Sequence, residues 1–196
     1  MGKVDWSTFA AVVTAVCWGV FVVVWVAGAI YNASRGPAVR TRTLGRAPVV
    51  IGVAAVVVVL RVVPQDFWDR LSVDSPWLRW PGLVILLLAT AFAIWARVRL
   101  GTMWSADVVA KVGHELRTDG PYGIVRHPIY TGILGMLLGS ALLNGLGRWT
   151  IALVGGAVLV EVKIRMEERL LARQFPREYA QYRKRVPRLV PRLRRR

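Results

Sequence analysis

Two polar clusters in an otherwise apolar chain hold the side chains that could do chemistry. The first comprises Trp104, Asp107, Lys111, His114, Glu115, Arg117, Thr118, Asp119, Tyr122, Arg126 and His127, and includes both histidines of the chain. The second is Arg165, Glu167 and Glu168. Imidazole and carboxylate are the groups best suited to moving a proton near neutral pH. Asp119-Gly120-Pro121-Tyr122-Gly123 reads as a turn in which Gly supplies unusual backbone angles and Pro fixes the exit. His127 precedes Pro128, and Pro is favoured at the first position of a helix. Arg126 and His127 therefore stand beside the free N–H groups of a helix N-terminus, a natural seat for a carboxylate. Blander readings compete. The histidines could be interfacial hydrogen-bonding residues, or could join Asp or Glu around a metal, although their spacing is irregular and the single cysteine, Cys17, lies in an apolar run. Glu167 and Glu168 could be solvated helix residues paired with Lys163, Arg165 or Arg169.

Five apolar runs must position these clusters. Residues 9–30 are uncharged and long enough to cross about 30 Å of hydrocarbon. They exceed the usual core of a signal peptide, and only Lys3 precedes them against Asp5. Residues 47–63 and 81–96 open near Pro48 and at Pro81 and are short for a span. A hairpin that enters and leaves the same face is the competing reading for this pair. Residues 129–146 carry Gly132, Gly135 and Gly139 at helical spacing, which lets helices approach closely in lipid. The fifth run begins at Trp149, passes Val160 and continues into the polar Glu161-Val162-Lys163.

Loop charge gives the orientation. Residues 34–46 hold four arginines and no acid. The next connection carries Asp66, Asp69 and Asp74 against Arg70 and Arg79, and residues 97–127 are again basic in excess. The fourth connection has only Arg148, and the segment from Glu161 has 13 basic residues against four acidic. This alternation predicts an all-α integral membrane protein with about five transmembrane helices, its N-terminus outside and its C-terminal segment cytoplasmic. Residues 1–96 would form three spans. Residues 97–196 would form a catalytic region with two more spans, a cofactor-binding loop and a cytoplasmic C-terminal helix. Trp25, Trp68, Trp77, Trp80 and Trp149 suit interfacial belts, and Tyr179 and Tyr182 should pack the C-terminal helix back on the core.

The net charge of +16 could suggest nucleic acid, but 55% of the residues are hydrophobic and the long apolar runs leave no basic soluble module. The expected partners are anionic membrane lipids, through the C-terminal arginines, and no nucleic acid. A composition rich in Ala, Val, Gly and Arg points to a prokaryotic cytoplasmic membrane.

Three motifs in order carry a family resemblance. His114-Glu115-Leu116-Arg117-Thr118 is followed by Gly120-Pro121-Tyr122-Gly123-Ile124-Val125-Arg126-His127-Pro128-Ile129-Tyr130-Thr131-Gly132. Then come Glu167-Glu168-Arg169-Leu170-Leu171, Phe175 and Glu178-Tyr179-Ala180-Gln181-Tyr182. Over roughly residues 97–191 this resembles the isoprenylcysteine carboxyl methyltransferases and related phospholipid methyltransferases. The resemblance implies S-adenosylmethionine as cofactor, with S-adenosylhomocysteine as product. It also implies a cofactor site lined by His114, Leu116, Gly120, Tyr122, His127, Pro128, Tyr130 and Glu168, and no metal. Arg126, Glu167 and His127 would be catalytic, Arg126 by orienting an anionic group and His127 or Glu167 as the candidate base. The acceptor would be lipophilic: a prenylated cysteine, a phospholipid amine, an apolar thiol or a quinone-like lipid. Two other readings remain. One is an NADPH-dependent sterol-type reductase, which shares an Arg-His-Pro-x-Tyr element but differs around Ile129 and Thr131-Gly132-Ile133. The other is an inactive lipid-binding scaffold.

Overall fold

The computed structural model describes residues 5–35, 39–44, 47–73, 75–101, 108–111 and 116–192. These form helices α1 (Trp6–Arg35), α2 (Ala47–Val62), α3 (Gln65–Arg70), α4 (Pro76–Leu100), α5 (Pro121–Ile124), α6 (Pro128–Leu143), α7 (Trp149–Gln174) and α8 (Pro176–Arg185). The expected helical class holds, with one addition. Strands β1 (Val39–Leu44) and β2 (Val108–Lys111) pair antiparallel, Val39 opposite Lys111 and Leu44 opposite Val108.

Local chemistry sets the helix ends. Pro76, Pro121, Pro128 and Pro176 each open a helix, where the missing N–H costs nothing. α4 stops at Gly101, whose φ of 55° suits glycine and whose N–H closes on the Arg97 carbonyl. Pro81, the expected start of this run, lies inside the helix. The third run is therefore 25 residues long rather than short. α2 stays at 16 residues.

Packing runs in a row: α1 on α4, α4 on α6, α6 on α7 and α7 on α2. α2 leans on α7, whereas α4 leans on α1 and α6. The α4–α6 seam is the tightest. A Cβ added at Gly132 would lie 2.6 Å from Ala93 Cβ, at Gly135 2.7 Å from Ala89 Cβ, and at Gly139 2.5 Å from the Leu86 nitrogen. The glycine stripe thus serves packing within the chain. Leu86, Ala93, Met136 and Leu143 fill the core with Ala10, Cys17 and Phe21 of α1. Polar bonds tie α1 to α6: Trp18 Nε1 donates to Ser140 Oγ at 3.1 Å, and Asn144 Nδ2 donates to Thr14 Oγ1 at 3.0 Å.

The two ends of the row are distinct. At one end, Val73 N–H donates to the Gly145 carbonyl and Gly147 N–H to the Leu71 carbonyl, joining the α2–α4 and α6–α7 connections. The Trp6 ring meets Trp80 there, so the N-terminus of α1 lies at this end. At the other end, the ribbon pairs the α1–α2 connection with the segment after α4. Connections that loop charge assigns to one side are thus joined to each other. Trp77 and Trp80 are exposed as belt residues would be, but Trp68 is buried with its Nε1 on the Val63 carbonyl, and Trp25 stacks on Phe21.

α1 and α4 are long and apolar enough to cross a bilayer, and most of each apolar window is not covered by protein. Val12, Val16, Val23 and Ile30 on α1 and Val84, Leu87, Leu88 and Val98 on α4 lie exposed. So much apolar surface has its stable place in lipid rather than in water. The chain is a membrane protein.

Candidate active site at the α6 N-terminus

α5 is a single turn preceded by Gly120, where φ is again 55°. The Arg99–Asp119 ion pair ties the preceding residue to the end of α4. Tyr122 is buried, its hydroxyl near the Ala96 carbonyl at 3.5 Å. Three residues on, the chain enters α6 through His127 and the fully buried Pro128. The first turn of α6 therefore presents Arg126, His127 and Tyr130. α7 passes beside it and presents Glu167 and Glu168 at its polar end, beyond the apolar stretch that ends near Val160.

These five side chains meet. His127, only 5% exposed, lies between the two carboxylates: Nε2 is 3.3 Å from Glu168 Oε1 and Nδ1 is 3.7 Å from Glu167 Oε2. Tyr130 donates its hydroxyl proton to Glu167 Oε1. Arg126 Nη2 and Nε donate to Glu168 Oε1 at 2.8 and 3.2 Å. Its Nη1 donates to the carbonyls of Val186 at 2.7 Å and Arg183 at 3.3 Å. Arg126, expected to orient an anionic group, thus has its donors committed to Glu168 and to backbone.

A strap that sequence reasoning missed closes the cluster. After α8, residues 186–189 run without regular structure across the α6 N-terminus. Arg126 N–H donates to the Pro187 carbonyl, His127 N–H to the Arg188 carbonyl, and Thr131 Oγ1 to the Leu189 carbonyl at 2.8 Å. Arg188 Nη1 reaches both oxygens of Glu161 at 3.1 and 3.0 Å, and its Nε lies 3.8 Å from Glu168. The strap thus pairs with the N–H groups of the two residues that precede α6. Pro187 and Pro191, which bar a helix on either side of Arg188, were the available signal. α8 holds the strap in place: Tyr179 and Tyr182 are buried, and the Tyr182 hydroxyl donates to the Tyr122 carbonyl at 2.6 Å. Leu116 is described and half-buried, without a contact to the cluster among the bonds above. Trp104, Asp107, His114 and Glu115 lie outside the described residues, and nothing is described of the Lys111 side chain.

The two carboxylates are driven apart electrostatically. Burial pushes the Glu167 carboxyl above the ordinary carboxylate range, and neighbouring Glu168 adds to it. His127, the Tyr130 hydroxyl and Lys163 pull the other way without cancelling the rise. About 30% of the Glu167 side chain remains exposed. At Glu168 burial also works upward, but hydrogen bonds from His127 and Arg126 and the Arg126 charge outweigh it and hold the pKa at about 2. A depressed pKa stabilises the fold above the unfolded value of about 4.5, and the contribution is lost as pH falls through about 2. Between those limits the thermal midpoint of the wild-type protein should fall more steeply with acid than that of Glu168→Gln.

Residues 82–173 match the isoprenylcysteine carboxyl methyltransferase (ICMT) family, a stretch that runs from α4 through the Glu167–Glu168 pair. The cobalt-zinc-cadmium resistance protein CzcN of Cupriavidus metallidurans is 34% identical over 119 residues, 59% of this chain and 55% of that protein. The protein-S-isoprenylcysteine O-methyltransferase of Schizosaccharomyces pombe is 39% identical over 101 residues, 49% of this chain and 42% of the relative. Methanethiol S-methyltransferase 2 of Bradyrhizobium diazoefficiens is 41% identical over 81 residues, 41% of this chain and 30% of the relative. The chain thus spans about half, or less, of the length of these relatives.

Proposed function

We propose that this chain, whose residues 82–173 belong to the ICMT family, transfers a methyl group from S-adenosylmethionine to a lipophilic acceptor at the membrane surface. The observation that carries the reading is the part-buried His127–Tyr130–Glu167–Glu168 cluster, crossed by the 186–189 strap and seated where apolar helices end.

The donor set suits the cofactor. S-adenosylmethionine carries two cations, a sulfonium and an α-ammonium, together with ribose hydroxyls, and paired carboxylates in a partly desolvated crevice stabilise such groups. Bound there, the sulfonium supplies an already activated methyl group. Glu168 is fixed by Arg126 and His127, so its second oxygen can accept a hydrogen bond without rearrangement. Tyr130 and His127 orient Glu167 from two sides. The strap would shield part of the site from water, and catalysis of an in-line displacement needs mainly such alignment and exclusion. His114, Leu116, Gly120, Tyr122 and Pro128 remain candidate lining residues through the resemblance.

Loop charge supports five spans with the site at the cytoplasmic face, the acceptor entering from the adjoining leaflet. Exposed Arg169, Arg173, Arg177, Lys184 and Arg185 at that end would meet anionic headgroups. Among the relatives, by name, one methylates oxygen of isoprenylcysteine and another the sulfur of methanethiol, so family alone leaves the acceptor open.

Calorimetry of the detergent-purified protein with S-adenosylhomocysteine and with NADPH tests the reading. Saturable micromolar binding of S-adenosylhomocysteine alone is expected. Binding of NADPH alone would make the protein a reductase, and binding of neither would leave a scaffold.

A further inference from the structure

Resting on the proposed methyl transfer, we infer that Arg188 of the strap binds the α-carboxylate of S-adenosylmethionine, with Glu168 beside it taking the α-ammonium. A guanidinium presents a side-on edge, the Nε and Nη2 hydrogens, whose spacing matches the two oxygens of a carboxylate. Arg126 spends that edge on Glu168, with Nη2 at 2.8 Å and Nε at 3.2 Å. Arg188 does not. It holds Glu161 through Nη1 alone, at 3.0 and 3.1 Å from the two oxygens. Its Nε is buried without a hydrogen bond, and its Nη2 donates to no group among the described residues. A buried charged donor is costly to leave unsatisfied, so this edge suits an anionic ligand.

The edge lies at the site. Arg188 Nε stands 3.8 Å from Glu168 Oε1, the oxygen that His127 Nε2 meets at 3.3 Å. Glu168 itself does not fill the edge, since 3.8 Å is too long for a hydrogen bond and Arg126 already occupies that oxygen. The Arg188 side chain is 33% exposed and that of Glu168 16%, so a ligand can reach the pair in partial shelter from water. Arg188 is also held at both ends. The carbonyls of Pro187 and Arg188 accept the N–H groups of Arg126 and His127, which fixes the backbone. Glu161, braced by Arg165 Nε at 2.6 Å, fixes the Nη1 end. A side chain so placed gives up little freedom on binding.

The ligand chemistry matches this pair. The methionine end of the cofactor carries an ammonium and a carboxylate on one carbon, so its site needs an anion and a cation side by side. Glu167 and Glu168 serve the positive groups, and the carboxylate requires a cation of its own. Arg126 is held by Glu168 and by the carbonyls of Arg183 and Val186. Arg188 is the neighbouring guanidinium with a carboxylate-binding edge to offer. The strap is then part of the binding surface, joined to α7 through the ligand as well as through Glu161.

Calorimetry of the detergent-purified protein tests this with S-adenosylhomocysteine and with its decarboxylated analogue, in which hydrogen replaces the α-carboxylate. The wild-type protein should bind S-adenosylhomocysteine at least about tenfold more tightly than the analogue, the worth of a charge-assisted pair. Arg188→Gln should lose at least about tenfold in affinity for S-adenosylhomocysteine but less than about twofold for the analogue. Arg188→Lys keeps the charge without the planar edge and should fall between the two. Equal affinity of the wild-type protein for both ligands would overturn the inference, and that comparison needs no variant to fold. Arg188→Gln with unchanged affinity for S-adenosylhomocysteine, or with equal losses for both ligands, would also overturn it and leave Arg188 an anchor of the strap. Failure of the wild-type protein to bind S-adenosylhomocysteine would instead remove the reading on which it rests.

Discussion

Glu168→Ala is expected to abolish methyl transfer and to cost about 3–5 kcal/mol of stability, the usual penalty for removing one partner of a buried ion pair. Arg126 is only 9% exposed and Glu168 16%. Removing the carboxylate strands a guanidinium that cannot shed its proton, with two N–H groups aimed at nothing. His127 loses its Nε2 partner in the same step, and the ring is then steered only by Glu167 at 3.7 Å. The strap loosens too, because Arg126 is the residue that joins Glu168 to the carbonyls of Arg183 and Val186. Thermal unfolding in detergent reports the stability. Calorimetry with S-adenosylhomocysteine should show affinity falling by at least about a hundredfold, as expected when both a contact and its supporting network are lost. Near-native affinity and activity in this variant would show that Glu168 holds the fold without serving the site.

Gly139→Leu should have an effect of similar size at a distance from the chemistry. The added Cβ alone would stand 2.5 Å from the Leu86 nitrogen and 2.7 Å from its Cα, both backbone atoms of a helix that cannot give locally. The α4–α6 seam must open by about an ångström or more, and overpacking of this kind costs about 3 kcal/mol or beyond. Because α6 carries His127 and Tyr130 at its other end, the same displacement should weaken cofactor affinity. A thermal midpoint unchanged from wild type would mean that the seam is looser in the membrane than the packing implies. Gly19, with open space where its Cβ would sit, is the control: Gly19→Ala should be neutral or slightly stabilising.

Much of the site was legible because its chemistry is local in sequence. The Gly120-Pro121 turn, the His127-Pro128 helix entry and the adjacent Glu167 and Glu168 each follow from neighbouring residues, and the structure brings the last two to His127 and Tyr130. The start of α4 was misread because Pro81 looks like a first-turn proline. Ser75-Pro76 was the better signal, a residue suited to the N-cap followed by proline. Trp68 reads as an interfacial anchor by type, yet it is buried beneath a connection folded back on the α6–α7 turn. The contacts of Arg126 with Glu168 and the strap could not be read at all. A segment without regular structure has no periodicity, and its bonds to residues 126 and 127 run through backbone groups that every residue shares.

The strap also fixes when the site can come into being. The residues it caps, 126 and 127, are made some sixty residues earlier during synthesis, since Arg126 pairs with a carbonyl at a separation of 60. α4 and α6 can pack through their glycines as soon as both have entered the bilayer. The chemical centre must wait for α7 to deliver its carboxylates and for α8 to reverse the chain and lay residues 186–189 across the α6 N-terminus. A chain halted before that point would lack the contacts of Arg126 and His127 with Glu168 and the strap.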